Sequence, residues 1–278
     1  MPEPPPRPDL SRLPGEPAFG VGAELPGMVG ETLPDGRPKV SWRWWHVIVV
    51  YVLVNVVIGQ ALVGAVLVAI FGLDVATGAA NGPTIALSVV VDLVWLAGML
   101  LWLIRWHPGW VASLGLPARS RRLKEAAIGY GLGLCLYPAV AIVAGLVLTP
   151  LFQLFSDESV SAPEQIGSGL SVASKVLVVV LAIVVAPVTE ELFFRGLLYR
   201  SIRDRRGFWA GAIVSSLLFG LSHYVASPWQ DAVLLQSVMT FTGLGLCAIY
   251  EWRANLFANI AAHMAFNTIG VLFILLAN

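Results

Sequence analysis

The sequence predicts an all-α fold, a polytopic transmembrane helical bundle of about seven spans, and three observations support this. Hydrophobic residues make up 57% of the 278 residues and charged residues only 12%, whereas about a quarter of a soluble domain is charged. Several apolar runs reach the roughly 20 residues that a helix needs to cross the hydrocarbon layer. Basic residues gather in alternate loops between these runs, which is typical of multi-pass membrane proteins.

The first part of the chain has a different composition from the rest. Residues 1–40 contain ten prolines and mixed charges, with no apolar periodicity. Such a composition cannot bury enough surface to offset the entropy of the chain. We therefore predict a disordered proline-rich tail over residues 1–40 and a transmembrane helical domain over 41–278. The domain begins at Trp42, Trp44 and Trp45, whose rings suit the headgroup interface.

Seven apolar runs follow, and each is a candidate membrane span. The predicted spans cover residues 44–71, 83–104, 126–150, 174–200, 208–226, 232–250 and 255–277. Pro138 and Pro150 fall in the third run, so a re-entrant or interfacial segment is the alternative for that run.

The placement of basic residues predicts the topology, because Lys and Arg in short loops favour the cytoplasmic side. The basic residues of one set of loops are Arg37, Lys39, Arg43, Arg105, Arg119, Arg121, Arg122, Lys124, Arg200, Arg203, Arg205, Arg206 and Arg253. The other loops hold only Lys175, and one of them carries Asp157, Glu158 and Glu164. We therefore predict an integral, multi-pass protein of the plasma membrane with a cytoplasmic N-terminus and an outer C-terminus.

The overall charge excludes one class of partner. The chain has 17 basic and 17 acidic residues and a net charge of zero, so no overall field attracts nucleic acid. We expect the lipid bilayer as a partner and no nucleic acid.

A few ionisable side chains interrupt the apolar spans. Placing such a group in the bilayer costs about 3 kcal/mol or more, so each one is a functional hypothesis. They are Asp92 in span two, Glu190, Glu191 and Arg195 in span four, His223 in span five and His263 in span seven. The chain has four histidines, and the other two lie at span ends, where water or headgroups can solvate them.

Helical spacing arranges the groups of the fourth span. Glu191 and Arg195 are four residues apart, so they share a helix face and can neutralise one another. Glu190 points about 100° away from Glu191, which leaves its carboxylate available to another partner.

Two further pairs have the same spacing. Phe219 and His223, and likewise His263 and Asn267, are four residues apart, so each pair projects from one helix face. We expect Asn267 to stand beside His263 in one cavity.

The depths of Glu190 and His223 can be compared if spans four and five form a hairpin. With a turn at Arg206 and Gly207, each residue lies about 16 residues from the turn. At 1.5 Å rise per residue both lie roughly 24 Å from it, so their side chains are expected to meet at one level.

These groups fall into three motifs in chain order. They are EELFFR from Glu190 to Arg195, FGLSH from Phe219 to His223 and HMAFN from His263 to Asn267. Together they resemble the CPBP family of CAAX proteases and bacteriocin-processing enzymes, also called the Abi family. The resemblance covers a motif-bearing core over residues 174–278. It implies a polytopic membrane protein of a family that includes endopeptidases removing the last three residues after a lipidated cysteine.

Peptide hydrolysis needs an activated water and hydrogen-bond donors for the oxyanion. Our hypothesis is that Glu190 and His223 hold and deprotonate the water, a role favoured by burial because a carboxylate away from water is a stronger base. The resemblance implies that His263 and Asn267 donate hydrogen bonds to the oxyanion.

The remaining motif residues are assigned supporting roles. Glu191 and Arg195 fix the helix and orient Glu190, and Phe219 shares the helix face of His223. A second version of the mechanism uses a divalent metal such as zinc, held by a His₂Glu set of His223, His263 and Glu190 with one position open for water. The chain has no HExxH motif, and metal-free catalysis is the preferred version.

Other functions compete with an intramembrane endopeptidase that cleaves a membrane-associated peptide or protein. Polar groups in helical bundles can serve only as interhelical hydrogen bonds worth about 1 kcal/mol or less, and we predict that role, or a place in a cavity wall, for Asp92. The main alternative is a catalytically silent bacteriocin-immunity or membrane scaffold protein with the same fold. A proton-relaying transporter would be favoured by internal repeats, and the sequence contains none that we find.

Overall fold

The structure is a computed structural model. It describes residues 31–33, 36–72, 82–163 and 171–277. Over these ranges every extended element of regular structure is a helix, which confirms the all-α prediction. Most of the predicted tail, residues 1–30, and Glu164 of the predicted outer loop lie outside the described residues.

Seven helices, which we number α1 to α7, make up the bundle in the part of the chain that the structure describes. They are α1 (Trp44–Val50, Tyr51–Gly64 and Ala65–Phe71), α2 (Gly82–Trp106), α3 (Arg122–Val143, Ala144–Leu148 and Thr149–Gln153), α4 (Val172–Val180, Leu181–Val185, Ala186–Glu190, Glu191–Tyr199 and Arg200–Arg206), α5 (Phe208–Leu221), α6 (Trp229–Arg253) and α7 (Leu256–Ala277). A short helix, Trp110–Ser113, and a 3₁₀ turn, Arg119–Arg121, lie between α2 and α3.

Six of these helices are long and apolar enough to cross a membrane, namely all except α5. The chain is therefore an integral membrane protein, as predicted. The fifth predicted span, 208–226, is shorter than expected because α5 ends at Leu221. At this end the Ser222 hydroxyl donates a hydrogen bond to the Phe219 carbonyl, and His223 Nδ1 lies 2.8 Å from the same oxygen. The last carbonyls of a helix have no partner within the helix, and side chains can supply one.

Parts of α1, α3 and α4 are wound as π-helix rather than α-helix. Two of these stretches, Ala144–Leu148 and Leu181–Val185, directly precede the turns that contain Pro150 and Pro187. Proline has no N–H group for the carbonyl four residues earlier, so the winding changes there. Pro138 lies inside α3 without ending it, so the third predicted span is one long helix and not a re-entrant segment.

Two glycines bring α7 close to α3. A Cβ atom added at Gly129 would lie 1.9 Å from the carbonyl oxygen of Ala258, and one at Gly133 would lie 2.0 Å from that of Ala262. Small residues at a helix interface allow the backbones to approach in this way. The contact fixes the face of α7 that turns towards α4.

The basic loops meet at one end of the bundle, which we call the basic end. Arg37 and Arg203 both pair with Glu251 at the end of α6, and Arg253 pairs with Glu125 at the start of α3 at 2.8 Å. The predicted clustering of basic loops is therefore present. The side of the membrane on which the basic end lies stays a prediction.

A segment before α1 packs against the motif-bearing helix. The Val40 N–H donates to Asp204 at 3.1 Å, and the fully buried Trp42 indole donates to the carbonyl of Leu197 at 3.1 Å. Arg37 and Val40 are also buried. The packed domain thus begins a few residues before the predicted boundary at 41, because these groups find hydrogen-bond partners on α4 and α6.

Candidate active site

Glu191 lies at the centre of a buried polar cluster. Its Oε1 is 2.6 Å from Arg195 Nη1, and both side chains are fully buried, so the predicted neutralisation within α4 is present. Its Oε2 accepts a hydrogen bond from the amide of Asn259 on α7. Such charge-assisted hydrogen bonds are stronger than neutral ones. Glu191 therefore ties α4 to α7, and its bonded carboxylate is poorly suited to act as a base.

His263 on α7 lies between the two glutamates. Its Nδ1 is 2.8 Å from Glu191 Oε1, and its Nε2 is 3.7 Å from Glu190 Oε2. An ionised carboxylate only accepts hydrogen bonds, so Nδ1 carries a hydrogen and points it at Glu191. This contact fixes the ring so that Nε2 faces Glu190.

Glu190 differs from its neighbour. Its side chain is 27% exposed, and no group in the described part of the chain donates a hydrogen bond to it. Glu190 and Glu191 thus lie in different environments, as predicted from the 100° between successive residues of a helix. A carboxylate without a hydrogen-bond partner, beside an oriented imidazole, can accept a proton from water.

Phe219 forms a wall of this cluster. The guanidinium carbon of Arg195 lies 4.5 Å from the centroid of its ring, a cation–π arrangement. The ring centroids of His223 and His263 lie 4.6 and 5.8 Å away. Phe219 therefore contacts both motif histidines, in keeping with a supporting role.

His223 is placed differently from the prediction. It lies in the turn after α5, where its Nδ1 is 2.8 Å from the carbonyl oxygen of Phe219. Within the described ranges no hydrogen bond links it to Glu190. The two side chains therefore make no direct hydrogen bond, and their joint hold on a water stays a prediction.

The winding of α4 departs from the uniform α-helical rise that the comparison of depths assumed. The segment Glu191–Tyr199 is π-helical, and a π-helix has more residues per turn than an α-helix, so it advances less per residue. The Ser215 hydroxyl accordingly donates to the carbonyl of Phe194 at 2.8 Å, although Ser215 is eight residues past Gly207 and Phe194 is twelve residues before Arg206. Counting equal numbers of residues from the turn therefore does not give equal depths.

Asn267 is turned towards α4 rather than towards His263. Its amide nitrogen donates to the carbonyl of Ala182 at 2.8 Å, in a π-helical stretch of α4. One amide hydrogen is thereby used, and the other has no acceptor among the described residues. The predicted oxyanion donor thus also anchors α7 to α4.

Asn259 belongs to the cluster and was missed in the sequence. It lies four residues before His263, and Asn267 lies four residues after, so the three polar side chains share one face of α7. That spacing could have revealed it, but Asn259 lies outside the three motifs.

The structure does not form the predicted metal site. The described residues contain no group of three or more His, Cys, Asp or Glu side chains spaced to hold a metal ion. The Nδ1 atoms of His263 and His223 face Glu191 and the Phe219 carbonyl, which leaves the Nε2 atom of each ring as the position for a ligand. These residues do not fit a His₂Glu set in this conformation, and we derive no step through a metal.

Comparison with known proteins agrees with the motifs. Residues 172–269 match the family of type II CAAX prenyl endopeptidase Rce1-like proteins. This confirms the resemblance over the segment that carries all three motifs.

Two curated relatives share part of the chain. The putative membrane peptidase YdiL of Bacillus subtilis is 26% identical over 96 residues, 34% of this chain and 36% of that protein. An uncharacterized 24.3 kDa protein of Escherichia coli is 30% identical over 105 residues, 37% of this chain and 46% of that protein. The matched region thus spans less than half the length of either relative. No solved structure matches.

Proposed function

We propose that this protein is an intramembrane endopeptidase of the CAAX-protease type, which cleaves a membrane-associated peptide or protein. One observation carries the proposal: His263 lies between a neutralised Glu191 and a Glu190 that accepts no hydrogen bond in the described part of the chain. The peptidase family match over residues 172–269 supports it.

Charge balance favours Glu190 as the base. Arg195 already balances the charge of Glu191, so a proton taken up by Glu190 leaves this neutral pair undisturbed. A cluster with no net charge is the least costly one inside a membrane. When Glu190 takes a proton from water, its negative charge passes to the oxyanion that forms on the substrate.

The reaction then proceeds in two proton transfers. Glu190 removes a proton from water while the water oxygen attacks the peptide carbonyl, and the oxyanion forms. Glu190 returns this proton to the nitrogen of the leaving group as the C–N bond breaks. His263 is proposed to donate from Nε2 to the oxyanion, since Nδ1 is already directed at Glu191.

His223 keeps its hypothesised role of holding the water with Glu190, and Asn267 keeps the oxyanion role that the resemblance implies. Hydrogen bonds of a catalytic site are often long or misaligned without substrate and tighten on binding. His223 lies beside Phe219, which also contacts His263, so a small movement of the turn after α5 would bring its ring towards the cluster.

The substrate class proposed is a peptide with a membrane anchor, for which a lipidated CAAX tail is a candidate. Placement in the plasma membrane with the N-terminus and the basic end in the cytoplasm belongs to the same proposal. The basic loops support it, because such loops favour the cytoplasmic side.

A cleavage assay with purified protein in nanodiscs tests the function. The probe is a quenched fluorogenic peptide with an S-farnesyl cysteine followed by three residues. We expect wild type to cleave it and Glu190→Gln to lose about 100-fold or more of kcat, because general base catalysis contributes about 10²–10⁴-fold. Ser88→Ala is the control, since that hydroxyl bonds only within its own helix.

A comparison of membrane proteomes can identify the natural substrate. Cells with the wild-type chain should contain a shortened membrane protein that cells with Glu190→Gln lack. Full cleavage of the probe by Glu190→Gln protein would refute the mechanism, and identical proteomes together with an inactive wild type would refute the function.

A further inference from the structure

Asp92 on α2 is an intramembrane carboxyl group that the proposed mechanism does not use. It is partly buried, and no group in the described ranges donates a hydrogen bond to it. It is therefore not the satisfied bundle contact that the sequence suggested. An unpartnered carboxyl group within a span is costly and marks a functional site by default.

Aromatic contacts fix the register of α2 against α4. The rings of Trp95 on α2 and Phe193 on α4 lie 5.4 Å apart. Tyr51 of α1 packs on both, at 5.7 and 5.2 Å. This buried aromatic cluster holds the two helices at a defined level.

Asp92 and Glu190 lie at matching positions relative to this contact. Asp92 is three residues before Trp95, and Glu190 is three residues before Phe193. Successive spans alternate in direction, so α2 and α4 run parallel, and both carboxyl groups lie on the same side of the aromatic contact.

The packing of the helices agrees with this placement. Helix α2 packs along α4 from Val172 to Glu190. No hydrogen bond joins the two groups in the described structure. Asp92 and Glu190 thus lie on helices that pack together along this part of α4, and neither carboxyl group accepts a hydrogen bond from the described residues.

We propose that Asp92 contacts the substrate of this site, accepting a hydrogen bond from a backbone N–H of an extended peptide that lies between it and Glu190. This inference rests on the proposed function. A peptide drawn into the membrane in extended form has N–H groups that water no longer solvates, and each needs an acceptor. A carboxylate is a strong acceptor because its hydrogen bonds are charge-assisted.

Peptide binding to cleavage-impaired protein tests the proposal. In a Glu190→Gln background, the S-farnesyl peptide should bind about 10- to 100-fold more weakly when Asp92→Leu is added, which is the loss expected for a hydrogen bond to a charged group. Asp92→Asn keeps a neutral acceptor and should lose less. Asp92→Glu keeps the charged acceptor and should bind within about threefold of the parent. Ser88→Ala, one turn away on α2, should bind like the parent.

Kinetics in the active protein give a second readout. Asp92→Asn should raise KM while kcat changes little, because the hydrogen bond is present in both the bound substrate and the transition state. If Asp92 had only a structural role, Asp92→Asn would lower the amount of folded protein and would not raise KM while kcat stays the same. Unchanged binding and KM in the Leu and Asn variants would overturn the inference.

Cysteine cross-linking tests the placement without any activity. In a chain with Cys135→Ser and Cys247→Ala, a short bifunctional thiol reagent should join the pair Asp92→Cys and Glu190→Cys. The matched pair Ser88→Cys and Glu190→Cys should not be joined. Absence of the first cross-link would overturn the inference even if the wild type cleaves the peptide.

The outcomes separate the two proposals. A wild type that cleaves, with Asp92 variants that bind and react normally, refutes only the role of Asp92. A wild type that binds but never cleaves refutes the peptidase, and the binding series still tests Asp92. Failure of the Glu190→Gln protein to bind the peptide counts against both.

Discussion

Substitutions of the adjacent residues Glu190 and Glu191 should have different effects: one should remove activity, and the other should lower stability. In the structure Glu191 has three partners, namely Arg195, His263 and Asn259, whereas Glu190 has no hydrogen-bond donor among the described residues. Glu191→Gln removes the charge that compensates a fully buried guanidinium. Breaking a buried ion pair in this way costs about 3–5 kcal/mol, whereas Glu190→Gln breaks no hydrogen bond and should leave stability nearly unchanged.

The expected size of the effect is measurable by thermal unfolding. For chains of this size 1 kcal/mol corresponds to roughly 2–4 °C, so Glu191→Gln should lower the unfolding temperature by about 6–20 °C. The double variant Glu191→Gln with Arg195→Met should recover part of this loss, because the second change removes the unpaired charge.

Differential scanning fluorimetry in one detergent checks all three variants together. Glu190→Gln, with a near wild-type unfolding temperature and lost cleavage, is the matched control. The assignment of Glu191 as a structural anchor is wrong if Glu191→Gln protein is as stable as wild type. It is also wrong if adding Arg195→Met to Glu191→Gln lowers the unfolding temperature by as much as Arg195→Met alone lowers that of wild type.

Three further predictions follow from the contacts around α7. Asn259→Ala should lower the free energy of unfolding by about 1.5–3 kcal/mol, since a hydrogen bond to the charged Glu191 is lost; chemical unfolding checks this, and no change would contradict it. Gly133→Leu should prevent close packing on Ala262 and give aggregated protein in size-exclusion chromatography, whereas Gly131→Leu, where an added Cβ meets nothing within 4 Å, should stay monodisperse. Cleavage of the farnesyl peptide should continue in a zinc chelator, because the described residues form no metal-binding group; loss of cleavage that zinc restores would favour the metal version.

Apolar runs and residue spacing were enough to predict the helices and the contacts within each helix. Span positions could be predicted because an apolar run of about 20 residues has no alternative in a bilayer that satisfies its backbone. The Glu191–Arg195 pair could be predicted because a helix fixes the spacing of residues four apart. The motif residues stood out because ionisable groups are rare in such runs.

The contacts between helices could not be predicted in the same way, because they depend on how the folded helices pack. The attachment of His263 to Glu191 and the turn of Asn267 towards Ala182 depend on how α4 and α7 are rotated and shifted. That rotation is set by the aromatic cluster at Trp95 and the glycine contacts of α3, which join residues distant in the chain.

The depth of His223 is the clearest case of a position between helices that the sequence does not predict. Its predicted level assumed a uniform α-helical rise, but Glu191–Tyr199 is wound as π-helix and α5 ends at Leu221. Both features arise from packing against neighbouring helices and from hydrogen bonds made at the helix end. Periodicity along one chain segment defines its own helix face, whereas the shift between two helices depends on side chains from both of them.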